Sequence, residues 1–584
     1  MLYLMENFYT DNKNQQLLQA LLKKHGIRKV IASPGGTNPT MVMSLQMDDF
    51  FEMYSCVDER SAAYMACGMA VESSEPVILC CTGATASRNY MPALTEAYYR
   101  KIPLVVITCS RPNYYVGHLM PQVTNRNVYP ADILVDGEHL QAIDTKNDRW
   151  DCEFKINKAL LELKRHGGGP VHFNVETTSS SCSTVSLPDV HAIYRITPND
   201  KFPEMETGKI GIFLGSHAPM SEQMTNLIDK FCFIHNAVVF CDHTSGYYGK
   251  YAIQYALIGT QLKHKFDLCD LDLLIHMGEP SGDYLTMNAL TAKHVWRLSE
   301  DGEIRIRFKT LDYVFEMTDY EFFSYYTQDE TFARSDSFWK ECKATYDTLY
   351  NSIPDLPLCH IYIAQKLSKQ MPANCVMHFS IINALRSWNF FELDRSIRTY
   401  CNVGGFGIDG CTSSTIGASL VHKDKLYYLF TGDLAFFYDL NALGNRHICN
   451  NLRIMLINDG KGAEFVHFMS PKYQGDRNLF IAGGGHFGSQ SKTLVKNYAE
   501  NLGFEYMQAT TIEEFDEQYT KFISPQLASK PILFEIITST DNQSFAWEAL
   551  SNIASANTLD VARSVARQNK KVLSKILKGL KNKL

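Results

Sequence analysis

No apolar stretch in the 584 residues reaches the roughly 18 positions that a membrane-spanning helix needs. Met1–Glu6 carries neither the basic start nor the apolar segment of a secretory leader. A disulfide framework is missing too: the 16 cysteines stand singly, Cys80-Cys81 apart, and so long a chain needs no staples. They are expected to be reduced and mostly buried, and the chain cytoplasmic. No basic excess points to nucleic acid, since 63 acidic residues against 56 basic ones leave a net charge of −7. No repeat of short period is visible, and no flavin signature occurs in the middle of the chain. Cys232-x-x-His235 with Cys241-x-His243 has poor spacing for a zinc finger and is better explained by two alternating strands.

What does recur is a short, continuously apolar segment ending in a turn that carries glycine or proline, with helical patterns between. Lys29-Val-Ile-Ala32 runs into Ser33-Pro-Gly-Gly36, Pro76–Cys81 into Thr82-Gly-Ala-Thr85, and Pro103–Thr108 into Cys109-Ser-Arg-Pro112. Strands of this kind belong to parallel sheets buried on both faces. Val171–Val175 is expected as the last strand of a first domain over residues 1–185, followed by a polar linker, Thr178–Pro188. A second α/β region over 190–345 has strands near Lys209–Phe213, Ala237–Phe240 and Leu271–His276, and a third spans 357–550. The predicted fold class is therefore α/β, with three consecutive open parallel-sheet domains. The first and third share a plan that suits an internal duplication. The segment 551–584 stands apart: between Val561 and Leu584 eight lysines and arginines face no acid, and Val565, Val572, Ile576, Leu580 and Leu584 form an apolar stripe. It reads as a basic amphipathic helix, either packed loosely on its own protein or making a weak contact with a membrane surface or partner.

The third region holds the most specific pattern. Leu426–Phe430 leads into Gly432-Asp433, and Ile454–Ile457 leads into Asn458-Asp459-Gly460-Lys461-Gly462. The intervening Leu434–Asn451 suits a helix, which makes the two strands parallel neighbours. Open α/β sheets bind ligands at the carboxyl edge of such strands. Two carboxylates beside a glycine turn suit Mg²⁺ held jointly with phosphate oxygens. Gly405-Phe-Gly407-Ile-Asp-Gly410 offers a rival, because it matches the dinucleotide fingerprint between strand-like Thr399–Val403 and helix-like Thr412–Leu420. That fingerprint belongs on the first strand of its domain, whereas here helices and strands precede it. In Asp58-Glu59-Arg60, an acid opening the helix Ser61–Val71 is by itself only a favourable charge for the helix dipole.

Ser33-Pro-Gly-Gly36, Asp58-Glu-Arg-Ser61, Thr82-Gly-Ala-Thr85, Tyr90–Ala97, Ile102–Pro112 and Gly169–Asn174 occur in that order. With Asn402–Gly410 and Gly432–Leu443 they resemble the thiamine diphosphate (ThDP)-dependent 2-oxo acid enzymes, over nearly the whole chain up to residue 550. The pattern looks most like the menaquinone-biosynthesis branch of that family. The resemblance implies ThDP and Mg²⁺ as cofactors, carried by pyrimidine-binding, central and diphosphate-binding domains. It implies that Glu59 is the carboxyl group that hydrogen-bonds the aminopyrimidine ring, with His118 and Gln122 near the reacting centre. Gly35, Gly36 and Gly83 would lie beside the pyrimidine, and Ile408 would wedge the cofactor into its bent shape. Gly432, Asp433, Leu434, Asp459 and Gly462 would hold the diphosphate. The metal would take Asp433, Asp459 (where most relatives have Asn) and the backbone carbonyl of Lys461. Because the two halves of this family's site come from different subunits, a homodimer or a dimer of dimers is implied.

The chain departs from that branch at its substrate arginines. Gly36-Thr37 replace a Ser-Arg pair in the first glycine turn, and Val403 replaces an arginine before the Gly-rich segment. A third arginine falls near Ala384, with Arg386 two residues on. Carboxylates favour bidentate arginine partners, so the changes imply an acceptor other than isochorismate. Arg111, His118, Arg126, Glu464, His467 and Tyr473 are the remaining polar candidates, each as easily on the surface or behind the site as in contact with substrate. Three functions follow: decarboxylation of a 2-oxo acid and carboligation to an unknown acceptor, simple decarboxylation with aldehyde release, or a non-catalytic scaffold. Transferase-type carboligation is favoured over lyase-type decarboxylation.

Overall fold

The computed structural model describes residues 8–261, 263–328, 334–462, 464 and 479–555. The basic segment 561–584, His467 and Tyr473 lie outside the described residues. The chain divides into two compact units, the first taking the described residues up to Ile196 together with Thr310–Val314, the second the rest.

In the first unit, β1 (Tyr9–Thr10) precedes β2 (Lys29–Ala32), β3 (Glu52–Ser55), β4 (Val77–Thr82), β5 (Leu104–Ser110), β6 (Asp136–Leu140) and β7 (Val171–Glu176). The six strands from β2 onward form one parallel sheet in the order β3-β2-β4-β5-β7-β6. Every residue of β4 and β5 is buried, because alternate side chains enter two different cores. Ile78, Cys80, Val105 and Ile107 pack with Leu17, Leu21, Ile156 and Leu160 on one face. Leu79, Cys81, Leu104 and Val106 pack with Ala62, Ala63, Ala66, Ala93 and Leu94 on the other. Strands covered on both faces read as unbroken apolar runs, whereas β6 (Asp-Gly-Glu-His-Leu) is an edge strand with a mostly half-buried, polar sequence and carries no such signal. The expected linker Thr178–Pro188 contains β8 (Cys182–Thr184), which pairs antiparallel with β1. β9 (Tyr194–Ile196) ends the unit's first segment.

The second unit holds two parallel arrays. In the first, β10 (Ile210–Leu214), β11 (Ala237–Cys241), β12 (Ala252–Gln254), β13 (Asp270–Met277) and β14 (Thr291–Leu298) run in the order β12-β11-β10-β13-β14. After β15 (Leu311–Phe315) comes the second array, made of β16 (Val376–Phe379), β17 (Arg398–Cys401), β18 (Tyr427–Gly432), β19 (Leu452–Asn458), β20 (Glu505–Ala509) and β21 (Ile532–Ile537). Its order is β17-β16-β18-β19-β21-β20, parallel throughout. Numbered from its own first strand, this is 2-1-3-4-6-5, the same order as the sheet of the first unit. The shared topology agrees with an internal duplication.

Two local expectations are corrected. Leu434–Asn451 is not one helix: it is helical over Asp433–Tyr438, has a 3-10 segment Leu440–Gly444, and then runs without regular structure. The helix stops where Asp439 turns its carboxylate to accept the N–H (2.6 Å) and the hydroxyl (2.7 Å) of Ser413. Cys232 and His235 do not lie on a strand; they sit on the helix Glu222–His235, and only Cys241 is on β11. His235 and His243 spend their Nε2 atoms on backbone carbonyls. No group of three or more His, Cys, Asp or Glu able to hold a metal occurs among the described residues, and no described helix is long and apolar enough to cross a membrane.

Three buried histidines are expected to cost the fold stability in acid. Burial, with the charge of Arg126 added, pushes His172 down to about 3. Burial and the guanidinium groups of Arg297, Arg305 and Arg307 push His276 to about 3, and burial alone pushes His378 to about 4. Unfolded, each would titrate near 6.5. The unfolded chain therefore binds more protons below that value, so the stability these groups confer is complete above pH 6.5 and is lost as the pH falls toward their folded values. Each histidine contributes a slope of about 1.4 kcal/mol per pH unit. Urea melts between pH 6.5 and 5 should show falling stability. His378→Phe, which keeps the ring beside Tyr400, should flatten that slope by about one histidine's share.

Candidate active site

In the first unit the candidate residues gather at the carboxyl ends of β2, β3, β4 and β5. Gly35 follows β2 where the chain grazes the end of β4: a Cβ there would lie 2.4 Å from the Cβ of Thr82, so no other residue fits. Thr37 straps this turn in place, donating its hydroxyl to the carbonyl of Cys109 at 2.6 Å while also meeting the hydroxyl of Thr82. The side chain standing where the family's arginine was expected is therefore committed to the scaffold.

Glu59 is the first residue of the helix Glu59–Ser73. The capping work belongs to its neighbour, for Asp58 Oδ1 accepts the N–H groups of Arg60 (2.9 Å) and Ser61 (3.3 Å). Among the described residues, the half-buried Glu59 carboxylate accepts a long hydrogen bond from Asn89 Nδ2 at 3.4 Å. The turn after β4 carries Gly83 and Ala84, the latter at φ +61°. Gln122 closes on both glycine turns: its Oε1 would be 3.7 Å from a Cβ on Gly36, and its carbonyl 3.6 Å from one on Gly83. Gly36, Gly83 and Gln122 are thus brought together. His118, earlier on the same connection, is exposed.

Behind this cluster lies a buried polar network that sequence reasoning missed. Arg126, read in the sequence as lying on the surface, behind the site or against substrate, is buried and donates from Nε to Asn174 Oδ1 at 2.9 Å. Asn174 Nδ2 meets His139 Nδ1 (2.8 Å), whose Nε2 meets Glu176 Oε1 (3.1 Å). Burial disfavours the charge of Glu176, but His139 and the N–H groups of Asn113 and Ala142 outweigh it and hold the carboxyl below its ordinary range. Asn174 and Glu176 are buried on β7; Asn174 was marked in the sequence only as the end of the Gly169–Asn174 segment, and no local signal marked Glu176.

In the second unit, Asp433 and Asp459 stand at the ends of neighbouring parallel strands, with Gly432 of β18 opposite Ile457 of β19. Asp433 is 3% exposed. Its Oδ1 accepts the N–H of Leu434 (2.6 Å), and its Oδ2 accepts the N–H of Gly460 (2.8 Å), which φ +90° turns toward it. Oδ2 also receives His486 Nε2 at 3.2 Å. Burial raises the Asp433 carboxyl above its usual value, and His486 and the two backbone donors pull it back only in part. Asp459 is pushed well above the carboxylate range by burial and then by the charge of Asp433. Two carboxyl groups that repel each other in a shielded place, beside a glycine turn, form a donor set that a hard divalent cation would relieve. The residues present therefore fit Mg²⁺ with a diphosphate.

The glycine-rich segment follows β17, an edge strand and the second of its array, so it does not occupy the first-strand position of a dinucleotide fold. A Cβ on Gly404 or Gly405 would meet nothing within 4 Å, and Ile408, further along the segment, is half-buried. Arg386 lies on the helix Asn383–Trp388, directly after β16, and is buried. Its Nη1 donates to Glu464, and its guanidinium lies 5.7 Å from the ring of Tyr284, which in turn meets Phe406 at 5.4 Å. Val403 is buried in the core.

The family described as thiamine pyrophosphate enzyme, N-terminal TPP binding domain, matches residues 13–128. Among curated proteins, the chain is 30% identical over 557 residues to a 2-succinyl-5-enolpyruvyl-6-hydroxy-3-cyclohexene-1-carboxylate synthase of Bacteroides fragilis, covering 91% of this chain and 97% of the relative. It is 29% identical over 559 residues to the synthase of the same description from Bacteroides thetaiotaomicron, again with 91% and 97% coverage. With that of Porphyromonas gingivalis it shares 26% identity over 568 residues, covering 91% and 96%.

Proposed function

We propose, from the premise that this chain belongs to the thiamine diphosphate-dependent enzyme family of the 2-succinyl-5-enolpyruvyl-6-hydroxy-3-cyclohexene-1-carboxylate synthases, that it decarboxylates a 2-oxo acid and joins the remaining carbon unit to an acceptor, using ThDP and Mg²⁺. The observation that carries this reading is the pairing of Asp433 and Asp459 at adjacent strand ends, where burial raises both carboxyl groups and the charge of Asp433 raises that of Asp459 further. Bound there, ThDP would supply the electron sink for loss of carbon dioxide, which no protein side chain offers.

The chain's own residues would then bind and orient. Asp433, Asp459 and the carbonyl of Lys461 would hold the cation, with Gly432, Leu434 and Gly462 along the diphosphate. Glu59, spared from capping, would hold a proton at a carboxyl oxygen against the aminopyrimidine ring, with Gly35, Gly36 and Gly83 beside it and Ile408 under the cofactor. Gln122 and His118 would serve the reacting centre. The exposed stripe Tyr64, Met65 and Val71, with open space at Gly68, supports burial of Glu59's helix against a second copy. A homodimer or a dimer of dimers follows from that reading.

Specificity would rest on Arg386. Thr37 is tied to Cys109 and Val403 is apolar, so the acceptor would present fewer carboxylates than isochorismate does. Carbon dioxide release from a panel of 2-oxo acids, with ThDP and Mg²⁺ and with or without carbonyl or conjugated acceptors, tests the proposal. Release that requires the acceptor is expected. Full release without one, with an aldehyde as product, would identify a decarboxylase; no release and no ThDP binding would identify a scaffold. Turnover of isochorismate would overturn the acceptor assignment.

A further inference from the structure

His486 is used by none of the roles above, yet it is the only side chain seen to touch the Asp433 carboxylate among the described residues. Its other ring nitrogen is informative. Nδ1 accepts the backbone N–H of Ser489 at 3.2 Å. A backbone amide can only donate, so Nδ1 accepts and Nε2 is the nitrogen that donates to Asp433 Oδ2. The ring is also held edge-on to Phe437, centroids 5.2 Å apart, and a Cβ on Gly488 would collide with that same phenyl at 2.2 Å. The segment His486-Phe-Gly488 is thus fitted against Phe437 with no room for side-chain bulk at Gly488.

An ionised carboxylate has about four lone-pair sites. In Asp433 the N–H groups of Leu434 and Gly460 and the Nε2 of His486 take three of them. One site on Oδ1 is left for a cation. We propose that His486 is a positioning residue for the metal: its Nε2–H fixes the rotation of the Asp433 carboxylate so that a single Oδ1 lone pair faces the cation. This rests on the ThDP and Mg²⁺ reading above and goes beyond it by assigning a residue outside the strand-end motif. Groups that orient a metal ligand from behind are typically worth a 10–100-fold change in metal affinity.

Two substitutions separate the two nitrogens. His486→Asn keeps an acceptor near Nδ1 for Ser489 but has no atom at Nε2; His486→Gln places an amide donor near Nε2 and gives up the acceptor. Mg²⁺ is titrated into the full-length protein at fixed, saturating ThDP and one neutral pH, read by calorimetry and by thermal shift. The wild type must show a Mg²⁺-dependent shift; its absence overturns the cofactor reading and this inference with it. With that shift present, His486→Asn is expected to weaken Mg²⁺ about 10–100-fold, and His486→Gln to stay within about threefold of wild type. Wild-type affinity in His486→Asn, or equal weakening in both variants, overturns the positioning role while leaving the cofactor reading intact. Melting of both variants without ligand, close to wild type, confirms that the comparison is between folded proteins.

Discussion

Glu59→Gln is expected to lower turnover by about 10²–10⁴-fold, the range for loss of a positioned proton-transfer group. That is about 3–5 kcal/mol of transition-state stabilisation. The substitution keeps the shape of the side chain and the contact with Asn89 Nδ2 through the amide oxygen. It does not disturb the helix start, because Asp58 provides the cap. Initial rates of carbon dioxide release, together with ThDP-induced thermal shifts, check the result. A variant that binds ThDP as the wild type does and turns over slowly has lost chemistry rather than structure. Rates within threefold of wild type would remove Glu59 from the mechanism. Asp58→Ala is a useful contrast: it should cost about 1 kcal/mol of stability through the lost cap, with a much smaller effect on rate.

Asp433→Ala is expected to abolish Mg²⁺-dependent ThDP binding, weakening it by more than about 100-fold, beyond the loss expected for a group that only supports a ligand. The substitution relieves Asp459 of a repulsive neighbour but takes the acceptor from the N–H groups of Leu434 and Gly460 and from His486 Nε2, so the unliganded variant should melt at or below the wild type. Loss of the ligand-induced shift, taken against each protein's own ligand-free melt, is the signature to measure, by thermal melts with and without ThDP and Mg²⁺. Dialysis of the wild type against a chelator should reproduce the ligand-free melt. Asp459→Asn should behave differently, since an amide oxygen can still ligate and the repulsion is again relieved. It should retain the ThDP shift and gain stability without ligand. Equal ThDP shifts in Asp433→Ala and wild type would show that the cofactor is not anchored at this pair of strands.

Much of this architecture could be read without coordinates because buried parallel strands leave a local imprint. β4, β5, β18 and β19 are covered on both faces, so nearly every residue must be apolar, and β4, β18 and β19 meet a glycine at Gly83, Gly432 and Gly460 where they end. Gly35 shows the same logic at one position, since the close approach of Thr82 leaves no space for a Cβ. Asp433 and Asp459 were legible for that reason: both sit one step beyond an unmistakable strand. The polar edge strand β6 and the buried Glu176 carried no such mark. The break at Asp439 was hidden because its cause lies 26 residues upstream, at Ser413.

Sequence alone thus established the α/β class, the family resemblance and the residues at each strand end, because burial and turn geometry act over a few neighbouring positions. The folded arrangement was needed for the common 2-1-3-4-6-5 strand order, the commitment of Thr37 to the scaffold, and the His486–Asp433 contact across 53 residues. Those depend on which sheet edge each loop returns to. Packing of the whole chain settles that, and no local pattern encodes it.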